Sequence, residues 1–217
     1  MLGQQKVVRV GIAAILAIAG ACSGAQDSAN TETAPAEEAN AAAVEQVRTA
    51  TQRFADVNVA LAEGYIQDPS GMCITAAMEG RPESEGAMGI HYLRPDLLGL
   101  IQAPGRVNGT GTHADFSQPA VLLYEPQADG SLTLVGVENL VWVAAWNQAG
   151  NTTPPTYLGQ EFNHMADNPQ TEFDEAHGFE PHYDLHFWLY RENPTGRFTP
   201  FNPAVTCAHA AHKTGQA

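Results

Sequence analysis

Two histidines, a carboxylate and two large aromatic residues alternate in one short segment near the C-terminus. In PHYDLHFWLYRENP (181–194) the even positions are His182, Asp184, His186, Trp188 and Tyr190. The odd positions from 183 to 189 are aromatic or aliphatic, and this period of two predicts a β-strand with one buried face. Imidazoles and carboxylates are metal ligands, whereas amphipathic rings form the walls of ligand pockets. The segment therefore predicts a metal site or a polar ligand pocket.

The geometry of a strand limits which of these groups share one ion. Neighbours on one face lie roughly 6.6 Å apart, so His182 and His186 are separated by roughly 13 Å and only one of them easily joins Asp184. Further ligands must come from elsewhere in the chain. The candidates are His91 in MGIHYLRP, Glu138 in GVENLVW, and His113 with Asp115 in GTHADF.

Glu138 is the most informative of these candidates. The alternation in SLTLVGVENLVWVAAW (131–146) predicts that its side chain shares a face with Leu132, Leu134, Leu140 and Trp142. An ionised carboxylate in apolar surroundings is costly unless a metal, another cation or a proton compensates it. In the alternative without metal, it pairs with an arginine, for which the chain offers Arg94, Arg106 and Arg191.

The leading hypothesis is a site for a divalent transition metal, zinc or copper. Its predicted ligands are His91, Glu138, His182, Asp184 and His186. A shared ion requires that His91 and Glu138 lie within about 5 Å of the last strand. Whether such a site is catalytic or only carries the metal stays open. The second hypothesis is a non-catalytic envelope protein that binds a small molecule or a partner in a pocket walled by Trp188 and Tyr190.

Other chemistry-bearing patterns are absent or incomplete. The chain has no Gly-x-Ser-x-Gly elbow, no phosphate-binding Gly-Lys-Ser/Thr loop and no dinucleotide fingerprint. A zinc-protease motif fails because Tyr183 stands where its catalytic Glu would be. Exposed loop or tail positions are expected for the remaining histidines, His164, His177, His209 and His212.

The pattern around these residues predicts a single α+β domain over residues 44–207. Apolar residues recur at helical spacing from Val44 to Leu61, and Gly64 follows where a helix would end. Two β-strands joined by a turn at Asp129-Gly130 are expected over 120–125 and 131–146. The fold class is thus α+β, an N-terminal amphipathic helix on a mostly antiparallel sheet or small barrel. Residues 147–181 are expected to be mostly loop, and 208–217 a C-terminal tail.

The N-terminal residues have the pattern of an export signal. Lys6 and Arg9 precede a short apolar run that ends in small residues at Cys22. The segment IAGAC resembles a lipobox, which predicts lipidation of Cys22, with simple cleavage nearby as the alternative because Ala19 replaces the usual Leu. Residues 23–43 are rich in Ala, Glu and Thr and are expected to form a flexible tether. We therefore expect a lipoprotein anchored to a membrane of the cell envelope, periplasmic or on the outer surface.

The remaining cysteines and the charge agree with export. Cys73 and Cys207 are an even pair for an oxidising compartment, and a disulfide between them is expected. The chain has 10 Lys and Arg against 24 Asp and Glu, a net charge of −14. This balance makes a nucleic-acid partner implausible because phosphate binding needs a basic surface.

Four segments of the folded part carry a resemblance. They are ATQRFADVNVALAEGY, AMGIHYLRPDLL, VLLYEPQADGSLTLVGVENLVW and FEPHYDLHFWLYRENPTGRFTPFNPAVTC. Together they resemble a family of uncharacterised exported bacterial proteins and lipoproteins that share MGxHY, LLYEPQxDGxLxLVGVE and FEPHYxLHxW blocks. The resemblance covers about residues 50–207. It implies export and one folded unit, and it assigns no catalytic role to any residue.

Overall fold

The computed structural model of the protein describes residues 28–102 and 105–211. The chain divides into two compact units, Met1–Glu38 and Ala39–Ala217. The second unit contains every strand and every site discussed below. The apolar N-terminal run, Cys22 and His212 lie outside the described residues, so the predictions made on them stay predictions. Within the described part, no helix combines the length and apolar character needed to cross a membrane.

Helical segments form the N-terminal part of the described chain. Helix α1 spans Ser28–Thr51, a 3-10 turn spans Gln52–Ala55 and helix α2 spans Val57–Ala62. Val44, Val47 and Phe54 are buried, as their spacing predicts. The helix is interrupted at Asp56, whose extended backbone and side chain cap α2 by accepting the amide of Asn58.

The start of α1 differs from the expectation. The sequence places the first helical residue at Val44 after a flexible tether, whereas the helix of the structure begins at Ser28. Residues 37–42 of this helix are exposed. Helix propensity explains the difference, because alanine favours a helix even where no apolar stripe reveals one.

Eleven strands, two short α-helices and two 3-10 turns (Ala76–Glu79 and Glu83–Glu85) follow in the described residues. The strands are β1 (Ile66–Gln67), β2 (Cys73–Thr75), β3 (Ala87–Leu93), β4 (Leu100–Ile101), β5 (Asn108–Gly109), β6 (Val121–Pro126), β7 (Leu132–Trp142), β8 (Thr156–Tyr157), β9 (Gln160–Glu161), β10 (Asn163–Met165) and β11 (His182–Phe187). The helices are α3 (Pro95–Leu98) and α4 (Val143–Gln148). Two strands end earlier than expected. The strand predicted over 131–146 ends at Trp142, where α4 follows, and β11 ends at Phe187 although the alternation continues to Tyr190.

Seven of the strands form one antiparallel sheet. Its order is β1-β3-β6-β7-β11-β10, and β2 also pairs with β3. The sheet is open, with β10 at one edge and the short β1 and β2 at the other. The α+β class is therefore confirmed. The structure has the predicted antiparallel sheet and not the alternative small barrel. The central strands β3, β6, β7 and β11 are those that carry the predicted site.

The two faces of this sheet are covered differently. One face packs against α1 and the following helical turns through an apolar cluster that includes Val47, Phe54 and Tyr124. The other face is covered by α3 and loop segments through a second cluster that includes Leu98 and Phe179. Both faces of β7 are thus buried, as its continuous apolar sequence predicts.

A β-bulge corrects one predicted face. The register of β6 against β7 shifts between Leu123 and Tyr124. Because an extra residue reverses the alternation of a strand, Leu132 and Leu134 lie with the helix-covered cluster, while Leu140 and Trp142 lie with the other. Glu138 therefore shares a face with Leu140 and Trp142 but not with the two earlier leucines.

The disulfide between Cys73 and Cys207 is confirmed. The two Cα atoms lie 5.7 Å apart, and the bond closes a separation of 134 residues. It fixes the C-terminal segment to β2, beside the strand that carries His91.

Candidate metal centre

Three central strands bring His91, Glu138 and His186 together. Glu138 on β7 lies directly opposite His186 on β11, so that both side chains project from the same face. His91 on β3 is opposite Leu123, which is opposite Gly136. All three side chains project from the face that is covered by α3 and loop segments, opposite the face that packs against α1.

Gly136 makes room for the Trp188 ring, which covers one end of the group formed by His91, Glu138 and His186. A Cβ at this position would lie 3.3 Å from the Trp188 ring and 3.0 Å from the Phe187 carbonyl oxygen. The Trp188 ring stacks on the His186 ring at 6.0 Å between centroids. A small residue on β7 therefore allows an aromatic ring to cover the imidazole.

The three side chains point ligand atoms at a common centre. Glu138 Oε2 lies 3.4 Å from His91 Nε2 and 3.5 Å from His186 Nε2. One ligand atom from each residue lies within 4.8 Å of the other two. Tetrahedral bonds of 2.0–2.1 Å place ligand atoms about 3.4 Å apart, so the two short distances fit a bound zinc ion. The requirement that His91 and Glu138 approach the last strand is met.

These potential ligand atoms are buried and have no hydrogen-bond partner among the described residues. The side chains of His91, Glu138 and His186 are at most 3% exposed. Their three facing atoms make no hydrogen bond in the described part of the chain. Buried polar atoms nearly always make hydrogen bonds. Three neighbouring atoms that make none therefore require an explanation, and binding of a metal ion would supply one.

Asp184 lies behind His186. Its Oδ2 is 3.6 Å from His186 Nδ1, the ring nitrogen that faces away from Glu138, and its Oδ1 accepts a hydrogen bond from the Asn163 amide at 3.4 Å. A carboxylate on the far nitrogen is how metal-binding histidines are commonly oriented. At 3.6 Å this contact is longer than a hydrogen bond, and neither atom has a hydrogen-bond partner among the described residues. Asp184 therefore lies beside the far nitrogen of His186 and outside the three-residue group.

His182 also lies apart from the group of His91, Glu138 and His186. It lies opposite Trp142, two same-face positions along β11 from His186. Its Nδ1 donates to the Glu180 carbonyl oxygen at 2.9 Å, and its Nε2 is a further buried atom without a partner among the described residues. The separation of His182 and His186 along β11 thus keeps them from sharing one ion, as the sequence predicts.

Burial sets the protonation states of the cluster. It lowers the pKa of His91 to about 4 and that of His182 to about 3, and it lowers the pKa of His186 well below its ordinary value. Burial also raises the pKa of Glu138 to about 8, and burial together with Glu138 raises the pKa of Asp184. At neutral pH the imidazoles are therefore neutral, which is the form that binds a metal.

His177 is the main residue that the sequence analysis missed. Expected in an exposed loop, it is instead buried, with Nδ1 3.1 Å from Glu79 Oε1. Its ring stacks on the His91 ring at 5.5 Å and meets the His182 ring edge-on at 6.0 Å. The loop sequence has no periodicity that shows burial, and its length was the only signal.

The other candidates lie elsewhere. His113 contacts the Gln118 carbonyl oxygen and Asp115 accepts from Ser117, both within their own loop. His164 and His209 are exposed as expected, but His164 lies on β10 and not in a loop. None of the described arginines pairs with Glu138, because Arg94, Arg106 and Arg191 bind Asp96, Asp174 and Glu125 respectively.

The two aromatic residues of the predicted pocket border one cavity but make different contacts. Trp188 is buried and donates to the Thr199 carbonyl oxygen, whereas Tyr190 leaves the strand face and hydrogen-bonds Thr51 of α1. Both residues border a cavity of about 390 Å³ with Arg48, Leu189, Glu192, Asn193 and Arg197. No histidine of the described chain lines this cavity, so the hypothesis of a pocket with histidine contacts is not supported there.

Comparison with known proteins gives no further assignment. No family model, curated protein or solved structure matches this chain. The chemistry of the site must therefore be argued from its own residues.

Proposed function

We propose that this protein is an exported, lipid-anchored envelope protein that binds zinc between His91, Glu138 and His186. The observation that supports the metal site is the convergence of three buried, unpartnered ligand atoms from three strands of the described chain. A structural role alone would leave these atoms desolvated without compensation.

The ligand set and spacing favour zinc over copper. Two imidazoles and one carboxylate are ordinary zinc ligands, and the 3.4 and 3.5 Å separations fit tetrahedral edges. Copper(II) prefers a tetragonal arrangement, in which adjacent ligands lie closer, at about 2.8 Å. Copper remains the second candidate because imidazole nitrogens bind it tightly.

The burial of the ligands favours retention of the ion over turnover of an organic substrate. Catalytic zinc sites keep a position that substrate can reach, whereas structural sites are closed. The three side chains here are at most 3% exposed, and Trp188 covers the His186 ring. We therefore propose that the protein holds its metal rather than acting as a hydrolase.

The export part of the proposal depends on the sequence and on the disulfide. A positively charged start, a short apolar run and Cys22 after small residues are typical of exported lipoproteins. The bond between Cys73 and Cys207 fits an oxidising compartment. The same four sequence blocks support membership of the exported bacterial family described above.

Elemental analysis of protein purified from the envelope without a chelator or an affinity tag tests the metal site. We expect at least one equivalent of zinc per chain in the native protein and loss of the ion from this site in a His91→Ala/His186→Ala variant. His164→Ala is the matched control, because it removes an exposed histidine from β10. Native protein that contains no metal and takes up none when zinc is added would refute the proposal.

A further inference from the structure

One loop covers part of the proposed metal site. The 166–181 segment joins β10 to β11, and its residues, all of them described, lie outside the helices and strands. The His177 ring of this segment stacks on the His91 ring at 5.5 Å between centroids. The Phe179 ring stacks on Trp142 of β7 at 6.2 Å. The 166–181 segment thus packs onto the sheet face that carries the three proposed ligands.

Burial differs sharply along the 166–181 segment. Residues 167–173 are exposed, whereas Ala176, His177 and Phe179 are buried. The proposed ligands beneath are almost fully buried, so an ion that arrives from solvent must displace some part of the fold that covers them. A closed site therefore needs a movable cover for loading.

The other covers of this face are fixed more firmly. Helix α3 buries Leu98 completely in the second apolar cluster. The C-terminal segment is held to β2 by the disulfide. Trp188 follows β11 directly, and its indole donates a hydrogen bond to the Thr199 carbonyl oxygen at 2.7 Å. Among these covers, the 166–181 segment is the one held neither by regular structure nor by a covalent cross-link.

Arg106 holds the 166–181 segment from a neighbouring loop. Its Nε donates to the Phe179 carbonyl oxygen at 2.6 Å, and its Nη2 donates to Asp174 Oδ1. Asp167 Oδ2 lies 3.7 Å from Nη1 of the same guanidinium. The guanidinium is partly exposed, so water can replace these partners when the segment moves away.

The buried end of the segment has a strained backbone. His177 has a φ of 37° and the next residue, Gly178, a φ of 90°. Glycine adopts such a conformation freely, whereas histidine does so only at a cost. Because the closed arrangement contains this strain, it lies closer in free energy to an open one.

The remaining contacts of the segment are made with one 3-10 turn and can be broken without separating strands. Glu79 Oε1 lies 3.1 Å from His177 Nδ1. The Phe173 ring lies over Gly80, where a Cβ would be 2.6 Å from the ring. Nearly half of the Phe173 side chain is nevertheless exposed. The contacts that close the segment are therefore separate from the strand pairing that holds the ligands.

We propose that the 166–181 segment is a lid, held closed by Arg106, that opens to admit the metal ion and closes over it. The inference depends on the proposed function, since it concerns how the same site is loaded. Opening breaks the bonds from Arg106 to Asp174 and Phe179 and uncovers His91, while the sheet stays paired. Because uptake and release use the same open state, the lid controls both rates and not the affinity.

The rates of zinc binding test this proposal. Full-length, metal-free protein is mixed with increasing zinc in a stopped-flow instrument and followed by tryptophan fluorescence, since the Trp188 ring stacks on His186. We expect the uptake rate to reach a plateau that is set by opening of the lid. The His91→Ala/His186→Ala variant should lack this phase, which assigns it to the site.

Arg106→Ala should raise both the plateau rate and the rate of zinc release into excess EDTA about tenfold. The reason is that hydrogen bonds from a charged group no longer hold the lid closed. The affinity should stay within about threefold, because opening is eased equally in both directions. Arg53→Ala is the matched control and should leave both rates unchanged, since it removes an exposed ion pair with Glu63 in the helical region.

The outcomes separate the lid from the proposed function. Zinc binding with rates that Arg106→Ala does not change would overturn the lid and leave the metal site. A protein that binds no zinc would refute both. If Arg106→Ala fails to fold, Phe173→Ala takes its place and should raise the same two rates, because it removes a partly exposed ring from the closed lid.

Hydrogen exchange of the metal-free protein gives a second measurement that needs no zinc. The amides of Val107 and Glu180 bond across the lid, to the carbonyl oxygens of Gly178 and Val107 respectively. We expect them to exchange faster than the amides of the central strand β7, and faster still in Arg106→Ala. Exchange at the rate of β7 would show that the segment opens only when the whole protein unfolds, and would overturn the proposal.

Discussion

The substitution Glu138→Gln should weaken zinc binding and yet stabilise the metal-free protein. The amide resembles a protonated carboxyl group in shape but provides a poorer ligand for zinc. Structural sites with four ligands bind zinc with about 10–16 kcal/mol, so that each ligand contributes about 3 kcal/mol. We therefore expect zinc affinity to fall by roughly 100-fold.

The raised pKa of Glu138 is the reason why the same substitution should stabilise the metal-free protein. Its value is raised to about 8 from 4.5, so its contribution to stability is fully present below pH 4.5 and is lost as the pH rises to 8. At pH 7 the preference of the unfolded chain for the ionised form costs the fold about 3 kcal/mol, from about 1.4 kcal/mol per pH unit. The glutamine side chain of the Glu138→Gln variant cannot ionise, so this variant should be more stable by up to that amount.

Two assays on the same proteins check these effects. Competition with a chelating dye gives the zinc affinity, and urea unfolding in EDTA, followed by tryptophan fluorescence, gives stability between pH 7 and 8. In this range the histidines with lowered pKa, such as His91 and His182, stay neutral in the folded state and largely so in the unfolded state, and contribute little. Glu161→Gln is the control, because that carboxylate is exposed on β9.

Either of two results would refute the reasoning. Unchanged zinc affinity would show that Glu138 does not bind the ion. Lower stability of the metal-free variant at pH 8 would show that the carboxylate is ionised and compensated by a cationic group in the absence of metal.

Three further predictions concern the surroundings of the site and the ends of the chain. Asp184→Asn should lower zinc affinity about 10–100-fold, measured with the same dye, because the His186 ring loses the carboxylate that lies 3.6 Å from its Nδ1 and can accept its proton when zinc binds. Cys73→Ser/Cys207→Ser should lower the free energy of unfolding by roughly 2–5 kcal/mol in urea titrations, since the bond closes a long loop; an unchanged midpoint would contradict this. Cys22→Ala should move the protein from the membrane pellet to the supernatant after ultracentrifugation, and continued sedimentation would exclude the lipid anchor.

Alternation along a strand was enough to identify Glu138 and His186 as candidate ligands, but it also selected His182 and Asp184, which lie outside the three-residue group. In β11 it separates His182, Asp184 and His186 from the apolar face, and in β7 it identifies a carboxylate in apolar surroundings. It could not predict which strands are neighbours or which residues lie opposite each other. Those facts depend on the register, which places Glu138 opposite His186 and excludes His182 from the three-residue group.

The errors arose where the periodic pattern is broken. Tyr190 was assigned to the site face because the alternation in the sequence continues past Phe187, where β11 ends. Leu134 changed face through the β-bulge, which one extra residue creates without a clear sequence signal. His177 lies in a loop, where burial depends on contacts with distant residues such as Glu79 and not on local spacing.

Burial isolates His91, Glu138 and His186 from water. It therefore makes their protonation states depend on whether a metal ion is bound. Without an ion, the low pKa of His91 and the raised pKa of Glu138 keep the imidazoles and the carboxyl group neutral, so the fold tolerates them at the cost of unmade hydrogen bonds. Glu138 would lose its proton to bind a divalent ion, and the neutral imidazoles of His91 and His186 would supply their lone pairs to it. Metal binding near pH 7 should therefore release protons into solution and stabilise the sheet across β3, β7 and β11. Sheet stability and metal content are thus expected to change together, which a purely structural histidine cluster would not require.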